Sequence, residues 1–275
     1  MIVSLRRFAP AAALALPATP ALAATRISHA DTAWMIVATG IVLMMTLPGL
    51  ALFYAGMVRK KNILATMAQS LAATAVVSVL WMVAGYSLAF TGGGALVGGL
   101  DRVLLAGMRF DSVSPFAPTI PEALFMLYQM TFAVITVALV AGSVADRMRF
   151  SAYLLFAVLW LFVVYVPVAH WVWGGGVLAA LGVIDFAGGT VVHINAGIAG
   201  LVAALVLRPR HGYGHDNLAP HDLSLAVVGT GLLWVGWFGF NGGSALAADA
   251  RAVYAILATH LAACAGAITW MLLEW

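Results

Sequence analysis

Residues 185 to 200 place ionisable and amide side chains inside a stretch that is otherwise apolar. The segment reads DFAGGTVVHINAGIAG and holds Asp185, His193 and Asn195 among several glycines. An ionisable residue at bilayer depth costs roughly 2.5 to 3.5 kcal/mol on insertion scales, and persists mainly where it faces a pathway or a partner. This segment is therefore the first candidate for a functional site.

Two of these side chains allow more than one role. Asp185 precedes a helical pattern, where a carboxylate can cap the orphan N–H groups of a helix start and can also attract an incoming cation. His193 follows within the helix, where an imidazole is either a hydrogen-bonded core residue or a relay for protons and hydrogen bonds. Both pairs of roles stay open at this point.

A second group of candidates consists of aromatic side chains near the outer ends of the predicted helices, with amide and hydroxyl side chains beside them. Any one of these rings could belong to the interfacial belt that most membrane proteins have. Together they could form a cup for a small cation, because cation–π attraction is worth about 2 kcal/mol or more when desolvated. The group comprises Tyr128, Gln129, Phe132, Tyr165, Trp171, Trp173, Trp237, Phe238, Phe240, Asn241 and Ser244.

The composition is that of an integral membrane protein. Of the 275 residues, 64% are hydrophobic and 8% are charged, whereas soluble domains carry roughly 25% charged residues. A helix that crosses the bilayer needs about 20 predominantly apolar residues. Seven runs meet that condition, and they predict an all-α polytopic membrane protein with spans at 33–58, 63–90, 123–145, 151–173, 188–207, 223–245 and 252–273.

Basic residues between the spans predict the orientation. The loops after the first, third and fifth spans carry Arg59, Lys60, Lys61, Arg147, Arg149, Arg208 and Arg210. By the positive-inside rule this face is cytoplasmic. We therefore expect the protein in the inner (cytoplasmic) membrane of the cell, with its mature N-terminus on the external side. Residues 1–23 agree with this, because they resemble a cleaved signal peptide with a charged start, a short apolar core and an A-x-A end. The alternative, a first span that stays attached, has an apolar core too short to cross the bilayer.

Several classes of function are disfavoured by particular residues. The 13 Lys and Arg residues form no continuous basic face, so no nucleic-acid partner is expected. Cys264 is the single cysteine, and the loop histidines His211, His215 and His221 lack further ligands, so no metal and no cofactor are expected. The sequence shows no nucleophilic side chain with an accompanying general base, so no enzymatic activity is expected.

Two other classes of membrane protein make specific demands on the residues, and the first of them, the retinal photoreceptors, also has seven helices. A retinal photoreceptor needs a lysine in the seventh span, but the only lysines are Lys60 and Lys61 in a loop. A haem-bearing electron carrier could use His193 with His170 or His260 as axial ligands. The absence of a Soret band from the purified protein would exclude the haem.

The motifs of the chain resemble those of the Amt/Mep/Rh ammonium transporter family, and of its bacterial Amt branch in particular. The most specific are DFAGGTVVHINAG at 185–197 and GWFGFNGGSA at 236–245, supported by FYAG at 53–56, GYSLAF at 85–90 and ADRMRF at 145–150. The resemblance implies a bundle of eleven helices, built as two inverted five-helix repeats plus a final helix and assembled as a homotrimer. On that pattern 24–275 is the transporter domain, with the first repeat at about 31–210 and the start of the second at about 223–275.

The resemblance also implies roles for individual residues. Trp173, Ser244 and Phe132 would form an external ammonium recruitment site, and Asp185 would serve substrate recognition and local structure. Phe132 and Phe240 would form a gate below it. The pore would be lined by Trp237, Tyr128, Gln129 and His193, with His193 as the first of a pair of pore histidines.

The chain departs from the family pattern in its length. The second pore histidine belongs to the second repeat, and about seven of the eleven helices are present before Trp275. We therefore expect a C-terminally truncated transporter, and no contact with a PII-type regulator, because that contact uses the C-terminal tail. The alternatives are a membrane ammonium sensor and a non-conducting relic.

Overall fold

The structure is a computed structural model that describes residues 27–275, and its helices match the predicted spans. Seven helices of this part are long and apolar enough to cross a membrane: α1 (His29–Met57), α2 (Lys60–Phe90), α3 (Glu122–Val144), α4 (Phe150–Ala180), α5 (Gly189–Leu207), α6 (Leu223–Gly242) and α7 (Ala250–Glu274). The predicted all-α polytopic fold is confirmed. The predicted signal peptide at 1–23 lies outside the described residues.

Helix α3 lies at the centre of the bundle. Its valines and alanines are buried on nearly every side, and α2 and α5 both pack against it. A helix pairs its own backbone N–H and carbonyl groups, so one that is apolar on every side can be buried in the middle of a bundle. Its two threonine hydroxyls are also hydrogen-bonded, because Thr131 Oγ1 and Thr136 Oγ1 donate to the carbonyls of Tyr128 and Phe132 one turn earlier. This rigid core helix carries Tyr128, Gln129 and Phe132.

Helices α1 and α6 approach each other so closely that glycine is required at their contact. A Cβ on Gly56 would come within 2.5 Å of the backbone of Ala226, and one on Gly229 would collide with the backbone of Phe53. Small residues of this kind let helix backbones meet in membranes, where van der Waals packing stabilises association. The contact fixes α6, which carries Trp237 and Phe240, against the first helix.

Several helices contain a π-helical segment, and two of these segments carry predicted pore residues. His193 lies in the π-helical start of α5 at Gly189–Ile194, and Phe240 lies in the π-helical end of α6 at Phe238–Gly242. Such segments often occur at functional sites because they redirect side chains within a helix. In α1, the backbone leaves the helical region at Leu47 before Pro48, which lacks an N–H to donate.

The connection between α2 and α3 contains a small antiparallel hairpin. Strand β1 (Val113–Ser114) pairs with strand β2 (Ala117–Pro121), which leads directly into α3. The backbone N–H of Ser28, before α1, donates to the carbonyl of Thr119 at 2.8 Å. The hairpin is therefore attached to the bundle rather than free.

At the opposite end of the bundle, a buried carboxylate joins the loops after α1, α3 and α5. The side chain of Asp146 is 0% exposed and lies 3.2 Å from Arg59 Nε and 3.7 Å from Arg210 Nη1. Asn62 Nδ2 donates to its other oxygen. These are three of the loops that the basic-residue count assigned to one face, so the structure agrees with that part of the predicted topology.

We predict that Asp146→Asn strongly destabilises the protein. The substitution leaves Arg59 and Arg210 without their buried counter-charge, and removing one member of a buried ion pair typically costs about 3 to 5 kcal/mol. The measurement is thermal unfolding in detergent. Asp216→Asn is the matched control, since Asp216 is 54% exposed and lies 3.8 Å from Arg59; an exposed pair contributes about 0 to 1 kcal/mol. Equal unfolding temperatures for the two variants would contradict the prediction.

Candidate functional site

The site begins with the carboxylate of Asp185, which caps the start of α5. Its Oδ1 accepts the backbone N–H groups of Gly188 and Gly189 at 2.6 and 2.9 Å, and its Oδ2 accepts those of Thr190 and Val191 at 2.8 and 2.9 Å. Gly188 has φ +98°, a conformation that glycine adopts without strain. Both carboxylate oxygens are thus committed to the backbone, so Asp185 shapes the site rather than offering a free anionic ligand.

Trp173, at the outer part of α4, is held by this same turn. Its indole Nε1 donates to the backbone carbonyl of Asp185 at 2.8 Å. A buried indole N–H needs such a partner, and the bond fixes the plane of the ring. The capped turn and the indole ring consequently form one unit.

A cavity of about 600 Å³, here called the outer vestibule, opens beside this unit. Its walls bring together residues from α3, α4, the turn before α5 and the end of α6, which are far apart in the sequence. Six of the predicted site residues line it: Tyr128, Gln129, Phe132, Trp173, Asp185 and Ser244. The structure thus places all four predicted substrate-binding residues around one cavity.

The inner end of the outer vestibule is closed by two phenylalanine rings. Phe132 and Phe240 have ring centroids 4.2 Å apart at an interplanar angle of 31°, and both side chains are buried. The Trp173 ring meets Phe132 edge to face at 5.7 Å and 85°. These two rings, with an indole beside them, are the pair to which the resemblance assigns a gate, and the pair is here called the gate.

Tyr128 fixes the gate ring from α3. Its hydroxyl oxygen lies 2.9 Å from the carbonyls of both Gly239 and Phe240, and its single proton can be donated to either. Ser244 Oγ donates to the carbonyl of Phe240 at 2.7 Å and lies 3.4 Å from the Tyr128 hydroxyl. These bonds tie the π-helical end of α6 to α3, and the Gly239 carbonyl also accepts the backbone N–H of Gly243.

Gln129 lines the outer vestibule and contains a buried, unused hydrogen-bond acceptor. The side chain is 8% exposed, and its Oε1 has no hydrogen-bond partner among the described residues. A buried carbonyl oxygen without a partner costs roughly 1 to 3 kcal/mol. Such an oxygen is able to accept a hydrogen bond from a ligand that donates.

His193 lies on the inner side of the gate. Its Nδ1 is 2.9 Å from the carbonyl of Gly188, so Nδ1 carries the proton and Nε2 is left as the acceptor of the neutral ring. The imidazole meets Phe240 edge to face at 5.8 Å. A second cavity, of about 220 Å³, is lined by His193, Phe240 and Trp237. Phe240 therefore lies between the outer vestibule and a second cavity, whose wall includes the exposed imidazole of His193.

The two other helix histidines considered as ligands, His170 and His260, have structural partners. His170 is buried, and its Nδ1 and Nε2 lie 3.0 and 2.8 Å from the carbonyls of Ala89 and Gly94. Trp234 Nε1 donates to His260 Nδ1 at 3.3 Å. Since both ring nitrogens of His170 face carbonyls, this histidine ties the segment after α2 to α4. The described residues contain no group of three or more His, Cys, Asp and Glu side chains that could hold a metal ion.

Residues that the sequence did not single out complete the outer vestibule. Phe116 and the following residues of the β1–β2 hairpin line it, as do Phe90 and Phe125, and Arg251 lies at its edge. Arg251 is paired with Asp249 at 2.9 Å. The hydrogen bond from Arg251 lowers the pKa of the exposed Asp249 carboxyl, so the pair stays ionised. These residues carry no distinctive spacing, and only the fold reveals their shared location.

Comparison with known proteins gives one consistent family. Residues 33–275 match the Ammonium Transporter Family. The chain is 52% identical over 247 residues to the "Ammonium transporter" of Bacillus subtilis, covering 89% of this chain and 60% of that one. The crystal structure of Candida albicans Mep2 superposes with a TM-score of 0.83 at 41% identity, covering 90% of this chain and 55% of that one. The chain thus spans about 60% of the length of the curated relatives it matches.

A further solved structure, described as a "Sensor Amt Protein", superposes with a TM-score of 0.80 at 28% identity, covering 89% of this chain and 62% of that one. The family match, these relatives and the arrangement of the capped turn, the paired rings and the imidazole all agree with the resemblance of the motifs. The chain belongs to the ammonium transporter family.

Proposed function

We propose that this chain forms a path for ammonium and ammonia across the membrane. The observation that carries the proposal is the alignment of Trp173, the Phe132–Phe240 pair and His193, which lead from the outer vestibule across a closed gate to a second chamber. Each of these groups suits one step in the passage of a small cation that donates hydrogen bonds.

Capture of ammonium takes place in the outer vestibule. The indole face of Trp173 and the ring of Phe132 attract a cation through their quadrupoles, and this attraction strengthens as water leaves. Ammonium also donates hydrogen bonds, and two residues that line the same cavity, Gln129 and Ser244, carry acceptor oxygens that a small turn of the side chain can bring to the ion. Together these groups offset the hydration free energy that the ion loses.

Passage beyond the gate selects for a species that can give up a proton. The Nε2 of neutral His193 is an acceptor in an otherwise apolar chamber, which disfavours an ion that stays charged. Ammonium can donate to Nε2 and lose its proton before or during passage, whereas potassium can do neither. The proposal therefore includes selectivity for ammonium over potassium.

We predict that Gln129→Leu weakens ammonium capture. A hydrogen bond to a charged group contributes roughly 1.5 to 3 kcal/mol, so its loss raises the apparent KM for ammonium uptake about tenfold or more. Gln69→Leu is the matched control, because Gln69 is also buried with an unpartnered Oε1 but does not line the outer vestibule. An unchanged KM in Gln129→Leu, or an equal rise in both variants, would contradict this role.

A membrane ammonium sensor is the second candidate function, favoured by the structural similarity to the Sensor Amt Protein. Both functions use the outer vestibule, but only a transporter moves its ligand. The distinguishing experiment measures ammonium-driven pH change inside liposomes that contain the protein, together with ammonium binding to the purified protein. Binding with flux supports transport, binding without flux supports sensing, and the absence of both contradicts the proposed site.

We also propose the arrangement of the chain in the membrane. The basic loops that meet at Asp146 lie on the cytoplasmic side of the inner membrane, and the mature N-terminus and outer vestibule face outward. Residues 31–210 form the first repeat, 223–275 begin the inverted second one, and three copies assemble into a trimer. Native mass spectrometry of the detergent-solubilised protein tests for the trimer. A mass that corresponds to a monomer would contradict this assembly.

A further inference from the structure

Behind the wall of the outer vestibule, an arginine and a glutamate form a paired contact. Arg102 Nε donates to Glu122 Oε1 at 2.8 Å, and Arg102 Nη2 donates to Glu122 Oε2 at 3.0 Å. Two parallel hydrogen bonds of this kind are among the strongest that side chains make in proteins. Glu122 is 5% exposed, so the pair is partly shielded from water.

The pair joins three parts of the chain: α2, the start of α3, and the segment between them. Glu122 is the first residue of α3, directly after strand β2, and Tyr86 of α2 donates its hydroxyl to Glu122 Oε1 at 3.1 Å. Arg102 lies in the segment between α2 and the hairpin, and its backbone N–H donates to Ser87 Oγ at 2.9 Å. One carboxylate therefore receives bonds from the external segment and from α2 at the point where the hairpin enters α3.

The hairpin that starts from this junction forms one wall of the outer vestibule. Phe116 packs against Phe90 and Phe125, with ring centroids 5.8 and 6.4 Å apart. All three rings line the cavity, whereas neither Arg102 nor Glu122 does. A shift of the junction would therefore move the ring of Phe116 relative to Phe90 and Phe125.

We propose that Arg102 and Glu122 are positioning residues that hold the β1–β2 hairpin as a wall of the outer vestibule and thereby set the affinity of ammonium recruitment. The part concerning recruitment rests on the proposed function. The bond to Glu122 also raises the pKa of the Arg102 guanidinium above its usual value, so the guanidinium stays charged over the physiological pH range.

The test compares Glu122→Gln with Asp111→Asn. Asp111 forms an exposed pair with Arg109 in the same external segment, with both side chains about 80% exposed, which makes it the matched control. For Glu122→Gln we expect the apparent KM for ammonium to rise about tenfold, since displaced binding groups weaken capture, while the maximal rate stays within about twofold. Arg102→Lys, which keeps the charge but loses the paired geometry, should give an intermediate KM.

Limited trypsin digestion supplies a measurement that does not depend on transport. In Glu122→Gln the hairpin segment should open more often, so cleavage after Arg109 should accelerate severalfold, while Asp111→Asn keeps the original rate. A fall in maximal rate at unchanged KM, or unchanged cleavage, would overturn the proposal. If the unmodified protein shows no flux, the proposed function fails, and the digestion alone decides whether the pair holds the hairpin.

Discussion

Replacing Asp185 with alanine is predicted to abolish the proposed ammonium transport and to destabilise the protein by roughly 3 kcal/mol or more, because four backbone N–H groups lose their acceptor. The carboxylate accepts four such groups at the start of α5. The turn that it orders also supplies the carbonyls bonded by Trp173 Nε1 and His193 Nδ1. Losing the cap therefore disturbs both sides of the gate at once.

The control for this prediction is the cap of another helix. Asp222 accepts the backbone N–H groups of Ser224 and Leu225 at the start of α6, in an exposed loop away from the outer vestibule. Asp222→Ala should cost about 1 kcal/mol, as is typical for the loss of an N-cap, and should leave flux unchanged. Uptake in proteoliposomes and thermal unfolding are measured for both variants. Normal flux in Asp185→Ala would show that the capped turn is not needed for passage.

Trp173→Leu is predicted to raise the apparent KM for ammonium about thirtyfold, which corresponds to the loss of a desolvated cation–π contact of about 2 kcal/mol. The substitution keeps an apolar side chain of moderate size but removes both the ring face and the bond to the carbonyl of Asp185. The gate rings and His193 remain, so the maximal rate should fall much less than the affinity.

Trp171 is the matched control on the same helix. Its Nε1 donates to the carbonyl of Leu96 at 2.8 Å, and it does not line the outer vestibule. Trp171→Leu loses the same number of ring atoms and one hydrogen bond, but should leave KM within about twofold. Concentration-dependent uptake is compared for the two variants. A similar KM for both would indicate that Trp173 acts only as a structural indole.

The helices could be predicted from the sequence because lipid imposes a strict requirement. A spanning segment must satisfy its backbone internally and stay apolar for about 20 residues, so its length and composition are visible in a single sequence. The capping role considered for Asp185 was likewise accessible, since the N–H groups that it bonds follow within six residues. Features that depend only on neighbouring residues, such as a spanning helix or its cap, can therefore be predicted from the local sequence.

The grouping of the site residues could be predicted only through motifs. Phe132 and Phe240 are more than a hundred positions apart, and no periodicity indicates that their rings meet at 4.2 Å. The same limit applies to Asp146 and Arg59, and to Arg102 and Glu122, whose pairings depend on how the loops fold over the bundle. Long-range pairs of this kind carry no signal in one sequence.

The external hairpin escaped prediction for a different reason. Its sequence, VSPFAPTIP, contains three prolines within nine residues. Proline cannot donate to a strand ladder and lowers the expectation of a strand. The hairpin forms nonetheless, because the short strands need few ladder bonds and the ring of Phe116 packs against Phe90 and Phe125. Tertiary packing outweighs local propensity here.

The central claim is that ammonium passes the Phe132–Phe240 gate and is selected at the imidazole of His193. The most direct measurement is the ratio of ammonium to potassium flux in liposomes, for the unmodified protein and for His193→Ala. We expect the unmodified protein to pass ammonium and reject potassium, and His193→Ala to lose this selectivity. Ammonium uptake and selectivity that are unchanged in His193→Ala would contradict the account.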